Sequence, residues 1–395
     1  MKQIAVVFPG NERGGAATHI TAFAKAVAAH QLQAFIRFLS LGTGPLQEDV
    51  EKVYGAVTVL EGSTRGRMRA LAQTMRETDR DTLWHAHGPR ANVVVYRAAR
   101  TARRQFTSTI HSDPLKDFLG SRLKSVLFTR LNLFCLRRTV GVFVGNRAFA
   151  THVPDVPAFY VPNAIEPVDV DEVRETAQAE LCRSLGIEPG SVLIGVVARL
   201  DKVKDIGTAI AALPLIRTKM NRPVHLVSAG PGDELPELVR LATVNGVRES
   251  VHFLGFVKDT PGLYQAFDVH VLPSKSEGES PFAILEAGAF RTPNVGSDIP
   301  GIKNLIVDGE TGLLFPQGNA VVLSERIVEL LTQPGLAANL AQNFADKVLP
   351  RFSLAAMLKG YLEGYTAMGF AIPESESRVV PSNHSSVGVL SQGES

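Results

Sequence analysis

Residues 3–19 read Gln-Ile-Ala-Val-Val-Phe-Pro-Gly-Asn-Glu-Arg-Gly-Gly-Ala-Ala-Thr-His. The run Gln3 to Pro9 has strand-forming character. Pro9, Gly10 and Asn11 then break it into a Gly-rich loop, and helical spacing follows from Thr18 to Ala29. Strand, loop and crossover helix make the opening unit of a parallel sheet with helices on both faces. Working outward, Leu83–Gly88, Phe106–His111 and Gly141–Gly145 are further apolar runs bounded by turn or polar residues, and Ala91–Ala102 has helical spacing. The pattern then restarts. Asp169 to Gly190 is charged and polar and ends in Pro189-Gly190. After it come strand runs at Ser191–Val197, Val224–Ser228, Ser250–Leu254 and Val269–Leu272, separated by helical segments. Phe352 to Met368 reads as a final helix, and the Ser-rich stretch after about residue 372 reads as a disordered tail. The expected architecture is α/β, with two doubly wound Rossmann-like domains divided near 165–190. No internal repeat of about 20–50 residues is visible.

Composition narrows the class. The chain has 395 residues, 45% apolar and 20% charged, which excludes a disordered or fibrous protein and gives enough length for one or two large cores. Two cysteines, Cys135 and Cys182, exclude a disulfide scaffold and a four-thiolate zinc site, and fit a reducing compartment. The apolar run at Ile4–Phe8 is too short for a secretory signal, and no stretch of about 18 apolar residues spans a membrane, so a cytoplasmic location is expected. The net charge of +2 hides an asymmetry. Residues 1–165 carry 22 Lys and Arg against 11 Asp and Glu, and the remainder carries 19 against 28. A split of this size suggests domains with different partners, the basic one meeting an anion.

Open parallel sheets bind ligands at the carboxyl ends of their strands, and two such sheets facing each other would hold one ligand in the cleft. The residues at the strand ends are therefore the candidates. Gly14-Gly15 lets backbone approach a ligand and turn N–H groups toward an anion, and equally fits a tight strand-to-helix turn. His85 and His87 share a strand face with metal-ligand spacing, but no third ligand follows, which favours core or wall histidines. His111 ends its strand, where an active-site role and a structural one are both open. Arg199 and Lys204 flank a loop leading into a helix, and two cations there can hold a diphosphate without metal. In the stretch Leu272–Gly288, Ser280 reads as an N-cap and Pro281 as the first helical residue. Glu277 and Glu279 precede that helix, and Glu286 lies inside it beside Ile284 and Leu285, where a carboxylate needs a partner such as a sugar hydroxyl. Asp79-Arg80-Asp81 has the spelling of a metal-binding Asp pair but precedes a strand instead of ending one.

Residues 115–138 hold a helical apolar stripe (Leu119, Leu123, Val126, Leu127, Leu131, Phe134) decorated by Arg122, Lys124, Arg130, Arg137 and Arg138. Such a helix can lie on an anionic membrane, and core packing with a solvated basic edge explains it as well.

Taken in order, the motifs resemble those of the retaining glycosyltransferases of family 4, which have the GT-B fold. They are Gly14-Gly15, His85-Ala86-His87-Gly88, Thr109-Ile110-His111-Ser112, Val161-Pro162-Asn163-Ala164-Ile165, Arg199 and Lys204, Ala229-Gly230-Pro231-Gly232, Phe253-Leu254-Gly255-Phe256, the glutamate motif ending in Leu285-Glu286-Ala287, and Asp308-Gly309-Glu310-Thr311-Gly312. The resemblance covers nearly all of residues 1–370. It implies an acceptor-side domain at 1–168, a nucleotide-sugar-binding domain at 169–353, a helix at 354–371 crossing back to the first domain, and the tail at 372–395. It implies a UDP- or GDP-sugar as donor, a glycan or lipid-linked acceptor, no cofactor or metal, and no nucleic-acid partner. Arg199 and Lys204 would neutralise the diphosphate, and Glu286 would bind the ribose. Gly255 and Phe256 would line the base pocket. Glu277, with Gly278, Glu279, Ser280, Pro281 and Phe282, would hold the sugar. Gly14, Gly15, Asn163 and Gly230 would complete the donor site, and His111 would face the sugar and the acceptor. Two departures stand out: eight residues separate Glu277 from Glu286, and six separate Glu279 from Glu286, where the family has seven, and Ala164 stands where glycine is common. The implied activity is hexosyl or N-acetylhexosaminyl transfer in cell-surface polysaccharide or glycolipid biosynthesis, at the inner face of the cell membrane. A nucleotide-sugar epimerase of the same fold and a catalytically inactive sugar-nucleotide-binding protein are the alternatives.

Overall fold

The computed structural model describes residues 2–115, 122–166, 168, 174–258 and 260–372, without the side chains of 122–125. The tail expected from residue 372 onward, and part of the basic helical segment at 115–138, lie outside the described residues. The chain divides into two compact units, one formed by residues up to Ala164 together with those from Ser353 onward, the other by Ile165–Phe352.

The first unit is built on seven parallel strands: β1 (Gln3–Phe8), β2 (Ile36–Ser40), β3 (Thr58–Val59), β4 (Thr82–His87), β5 (Phe106–Ile110), β6 (Val142–Val144) and β7 (Ala158–Tyr160), in the order β3-β2-β1-β4-β5-β6-β7. β1 is fully apolar from Ile4 to Phe8 because helices cover both faces of the sheet. One face packs Ile4, Val6 and Phe8 on the helices Gly15–Ala29 and Leu354–Ala367 through Phe23, Val27, Tyr361 and Tyr365. The opposite face packs Ala5, Val7, Trp84 and Ala86 on Leu71, Met75, Val94 and Val95. The helix Leu354–Ala367 is capped by Ser353, whose side chain accepts from the Ala356 N–H.

The second unit repeats the plan with six parallel strands: β8 (Val192–Val197), β9 (Val224–Ala229), β10 (Val251–Gly255), β11 (Val269–Leu272), β12 (Asn294–Ser297) and β13 (Leu313–Phe315), ordered β10-β9-β8-β11-β12-β13. Both orders reverse direction between the first strand and the fourth, β1 and β4 in one unit, β8 and β11 in the other. In doubly wound sheets, loops leaving the carboxyl ends of those two strands enclose the ligand crevice. Cys135 and Cys182 are buried free thiols. No helix among the described residues is long and apolar enough to cross a membrane.

Candidate active site

In the second unit the loops after β8 and β11 are tied together at three points. The Lys275 N–H donates to the Val203 carbonyl at 2.7 Å. The Lys275 ammonium lies 3.1 Å from Asp205 Oδ1. Lys204 Nζ donates to Glu277 Oε1 at 2.5 Å, and Ser274 Oγ donates to the same oxygen at 2.6 Å. The Glu277 side chain is 7% exposed and that of Lys204 is 19%. A charge pair so far from water persists only when both members find partners. Here the ammonium is aimed by the carboxylate, and its other two N–H donors are open to a further anion. Asp205 adopts left-handed backbone (φ 49°) at the turn into the helix Ile206–Arg217. Arg199 stands at the start of the same loop, paired with Asp201 at 2.9 Å and 67% exposed.

Glycines let these loops approach. A Cβ on Gly230 (φ 145°) would fall 2.0 Å from the Ala198 carbonyl oxygen, and one on Gly232 would fall 2.1 Å from that of Leu200. The Gly230 N–H donates to the Gly255 carbonyl at 2.7 Å, which joins the ends of β9 and β10, and Phe256 beside it is 66% exposed. Gly301, to which the sequence reading gave no role, backs the glutamate loop. A Cβ there would sit 2.3 Å from the Gly278 carbonyl oxygen and 2.8 Å from that of Glu277.

The helix after Glu277 starts differently from the expectation. It spans Phe282–Ala289 with Pro281, not Ser280, as its N-cap. Pro281 keeps extended backbone (ψ 123°), and its carbonyl accepts from the Ile284 and Leu285 N–H groups, which makes it the first acceptor of the helix. Ser280 is buried one residue earlier, Gly278 is open, and Glu279 is half-buried. Glu286 does find a protein partner. Tyr264 donates its O–H to Glu286 Oε2 at 2.7 Å, from a ring that stacks on Phe290. Burial raises the Glu286 carboxyl above its usual range while the Tyr264 bond pulls it down. Tyr264 is a second site residue that sequence reasoning missed.

The first unit gathers four histidines. His19 comes from the helix Gly15–Ala29, whose N-cap is Gly14 (φ 74°), His85 and His87 from β4, and His111 from the residue after β5. Their hydrogen bonds form a chain. Tyr365 Oη meets His85 Nδ1 at 2.6 Å, and His85 Nε2 meets Thr109 Oγ1 at 2.8 Å. Thr109 meets Tyr361 Oη at 3.1 Å, Tyr361 meets His19 Nε2 at 2.7 Å, and His19 Nδ1 meets Asn163 Oδ1 at 2.9 Å. With the Asn163 carbonyl accepting, each group can donate to the next in one direction, from Tyr365 to Asn163. Burial pushes His19 down to about 4 and His85 well below the usual range, so the chain is neutral. Asn163, expected as a donor-site residue, thus ends an internal network. His85 and His87 have ring centroids 4.3 Å apart, and among the described residues no group of three or more His, Cys, Asp or Glu is gathered for a metal.

Residues 178–347 match the family of glycosyl transferases group 1. Through them the second unit is similar to that family. The alpha-D-kanosaminyltransferase of Streptomyces kanamyceticus is 30% identical over 188 residues, which are 47% of this chain and 48% of that protein. The phosphatidyl-myo-inositol mannosyltransferase of Mycobacterium leprae is 26% identical over 328 residues, 80% of this chain and 84% of that one. The chain spans about half the length of the first curated relatives it matches. Among solved structures, Anabaena HepE in complex with UDP and glucose superposes with a TM-score of 0.76 at 21% identity, over 93% of this chain and all of that one. The fold is therefore GT-B, with two Rossmann-like domains.

Proposed function

We propose that this protein is a group 1 glycosyltransferase, a retaining, metal-independent enzyme that moves a hexosyl or N-acetylhexosaminyl group from a UDP- or GDP-sugar to a glycan or lipid-linked acceptor. The observation that carries the reading is the Lys204–Glu277 pair at the crevice of the second sheet. In the reaction the bond from the anomeric carbon to the diphosphate oxygen breaks, and a bond to the acceptor oxygen forms on the same face. The acceptor proton passes to the departing diphosphate. Charge grows on that diphosphate in an oxocarbenium-like transition state, and fixed cations lower the barrier. Lys204, aimed by Glu277, and the exposed Arg199 are suited to that task, and Glu286 to the ribose. His111 is assigned to the sugar and acceptor. Relatives named for sugar transfer, and a structural neighbour holding UDP and glucose, support the donor class.

The lipid-side acceptor rests on a separate observation. On the helix Arg122–Leu136, Val126, Leu127, Phe128 and Phe134 are exposed, while Asn132, Cys135 and Leu136 are buried. Apolar side chains next to Arg130, Arg137 and Arg138 suit the headgroup boundary of an anionic leaflet. Binding to anionic vesicles in flotation, weakened by salt, is expected, and absence of binding would remove this part.

The central test is transfer from UDP- and GDP-sugars in the presence of EDTA. One donor at a hundredfold excess over its Kd should stabilise the protein by about 2.7 kcal/mol. Lys204→Ala should slow turnover about a hundredfold, about 3 kcal/mol of barrier. Unchanged turnover in both Lys204→Ala and Arg199→Ala would overturn the mechanism. Release of free nucleotide with a new glycoside separates transfer from epimerisation, and donor binding without either marks an inactive binder.

A further inference from the structure

His87 ends β4, is 1% exposed, and is enclosed by rings: Phe23 is stacked at 6.2 Å and His85 lies at 4.3 Å. Its Nδ1 lies 3.1 Å from His111 Nε2, and its buried Nε2 has no hydrogen-bond partner among the described residues. The neighbouring histidines cannot supply one. Both nitrogens of His85 are engaged by Tyr365 and Thr109, and both nitrogens of His19 by Asn163 and Tyr361. Burial and the surrounding imidazoles hold His87 and His111 well below the usual histidine range, so both are neutral. A neutral imidazole carries one proton, on one nitrogen.

Two arrangements satisfy the 3.1 Å contact. In one, His87 Nδ1–H donates to His111 Nε2, and the orphan at His87 Nε2 is a bare lone pair. In the other, His111 Nε2–H donates to His87 Nδ1, and the orphan becomes a buried N–H. Buried N–H groups without partners are the rarer of the two, and an under-satisfied acceptor is tolerated more easily. The geometry selects the first arrangement.

We propose that His87 is a positioning residue that fixes the proton of His111 on Nδ1, so that His111 presents an N–H donor from the half-buried end of β5. His111 then acts by donating a hydrogen bond to a substrate oxygen, a sugar hydroxyl or a phosphate oxygen, and not as a general base through Nδ1. The second polar chain isolates the pair. With His85 and His19 spent on Tyr365, Thr109, Tyr361 and Asn163, His87 answers to His111 alone. What His111 does to substrate rests on the function proposed above, whereas the position of its proton rests on the first unit's own geometry.

The test is long-range proton–nitrogen correlation NMR on the full chain labelled with 15N-histidine, with transfer kinetics on the same variants. In the wild type His111 is expected in the Nδ1–H form. His87→Asn places an amide N–H close to the original Nδ1 and should keep that form. His87→Leu removes the donor, and His111 should move to the Nε2–H form. Turnover should fall at least about tenfold in His87→Leu with donor KM little changed, and most of it should return in His87→Asn. A merely structural role would lower melting temperature and turnover alike in both variants. An Nε2–H form of His111 in the wild type overturns the proposal, and so does an unchanged tautomer in His87→Leu. If His87→Leu fails to fold, the wild-type and His87→Asn spectra still decide. Expected tautomers combined with wild-type turnover in His111→Ala would overturn the role given to His111 and leave the proton where it is placed here.

Discussion

Glu286 sits in the second turn of an apolar helix, and its position in the sequence already demanded a hydrogen-bond partner. The structure supplies one from a distant segment, the Tyr264 hydroxyl, at a separation of 22 residues. Ring and hydroxyl have separate jobs. The ring is fully buried and stacks on Phe290, while the O–H keeps the Glu286 carboxyl from rising further. Tyr264→Phe therefore keeps the packing and removes one donor. The carboxyl should then protonate at higher pH, and nucleotide binding should fail earlier on acidification. The expected loss of affinity near neutral pH is about tenfold, about 1.4 kcal/mol. Calorimetric titration of UDP from pH 5 to 8 on both proteins checks the magnitude and the direction of the shift. Lys204, Glu277 and His111 were visible in the sequence as residues near strand ends, and Glu286 as a carboxylate inside the helix that follows one. Tyr264, Gly301 and His19 were not, because their roles exist only once the fold brings them to those ends. A tyrosine in the short apolar segment Pro261–Ala266 was the available signal for the first of them.

At the scale of elements, the two loops leaving β8 and β11 behave as one body, closed by Lys204–Glu277, Lys275–Asp205 and the Lys275–Val203 backbone bond. Gly301, in the short helix Pro300–Lys303, forms the floor beneath it. A methyl group there meets carbonyl oxygens, which cannot swing away as a flexible side chain can. Gly301→Ala should cost about 1–3 kcal/mol of stability and displace Glu277. The readout is turnover falling together with a lower melting temperature, and a variant with both unchanged would show the floor to be yielding. The central strands were legible because an apolar run between turn residues is unambiguous when a strand is buried on both faces. β3 has two residues and β7 three, too short for any periodicity to register. β12 reads Asn-Val-Gly-Ser, buried yet polar, and carries no strand signal of its own. On the basic helix, Val126, Leu127 and Phe134 of the expected stripe are exposed and Leu131 is half-buried, while Leu119 and the side chain of Leu123 lie outside the described residues; only the packed neighbours reveal that Asn132, Cys135 and Leu136 face inward.

At the scale of the whole molecule, acid should act unevenly on the two units. His19 titrates near 4 in the folded state against 6.5 unfolded, so between those values the unfolded chain binds more protons. Stability is complete above about 6.5 and declines as pH falls toward 4, by about 3 kcal/mol for His19 alone. His85, His87 and His111 shift in the same direction within the same unit. In the second unit His270 is likewise lowered to about 4, with smaller downward shifts at His225 and His252. Trp84 is the sole tryptophan and is buried in β4, so its fluorescence reports the first unit. The denaturation midpoint by that signal should drop between pH 7.5 and 5, and a constant midpoint would contradict neutral buried imidazoles. The division into two doubly wound sheets was readable from the restart after Gly190. The resemblance implied a helix at 354–371 returning to the first domain, but the bonds that Tyr361 and Tyr365 make there needed coordinates, since their partners lie some 250 or more residues away.

That dependence has a temporal side. Gly364 lies so close to Phe143 that an added Cβ would be 2.2 Å from its ring, and Tyr361 packs on Phe23 at 4.1 Å. On the ribosome, the segment that covers these rings emerges only after residues 165–352 have been synthesised. At about 5–20 residues per second, the amino-terminal sheet waits roughly ten to forty seconds with one aromatic face bare. The order of translation thus lets the later unit close on itself first, and the earlier one is finished last.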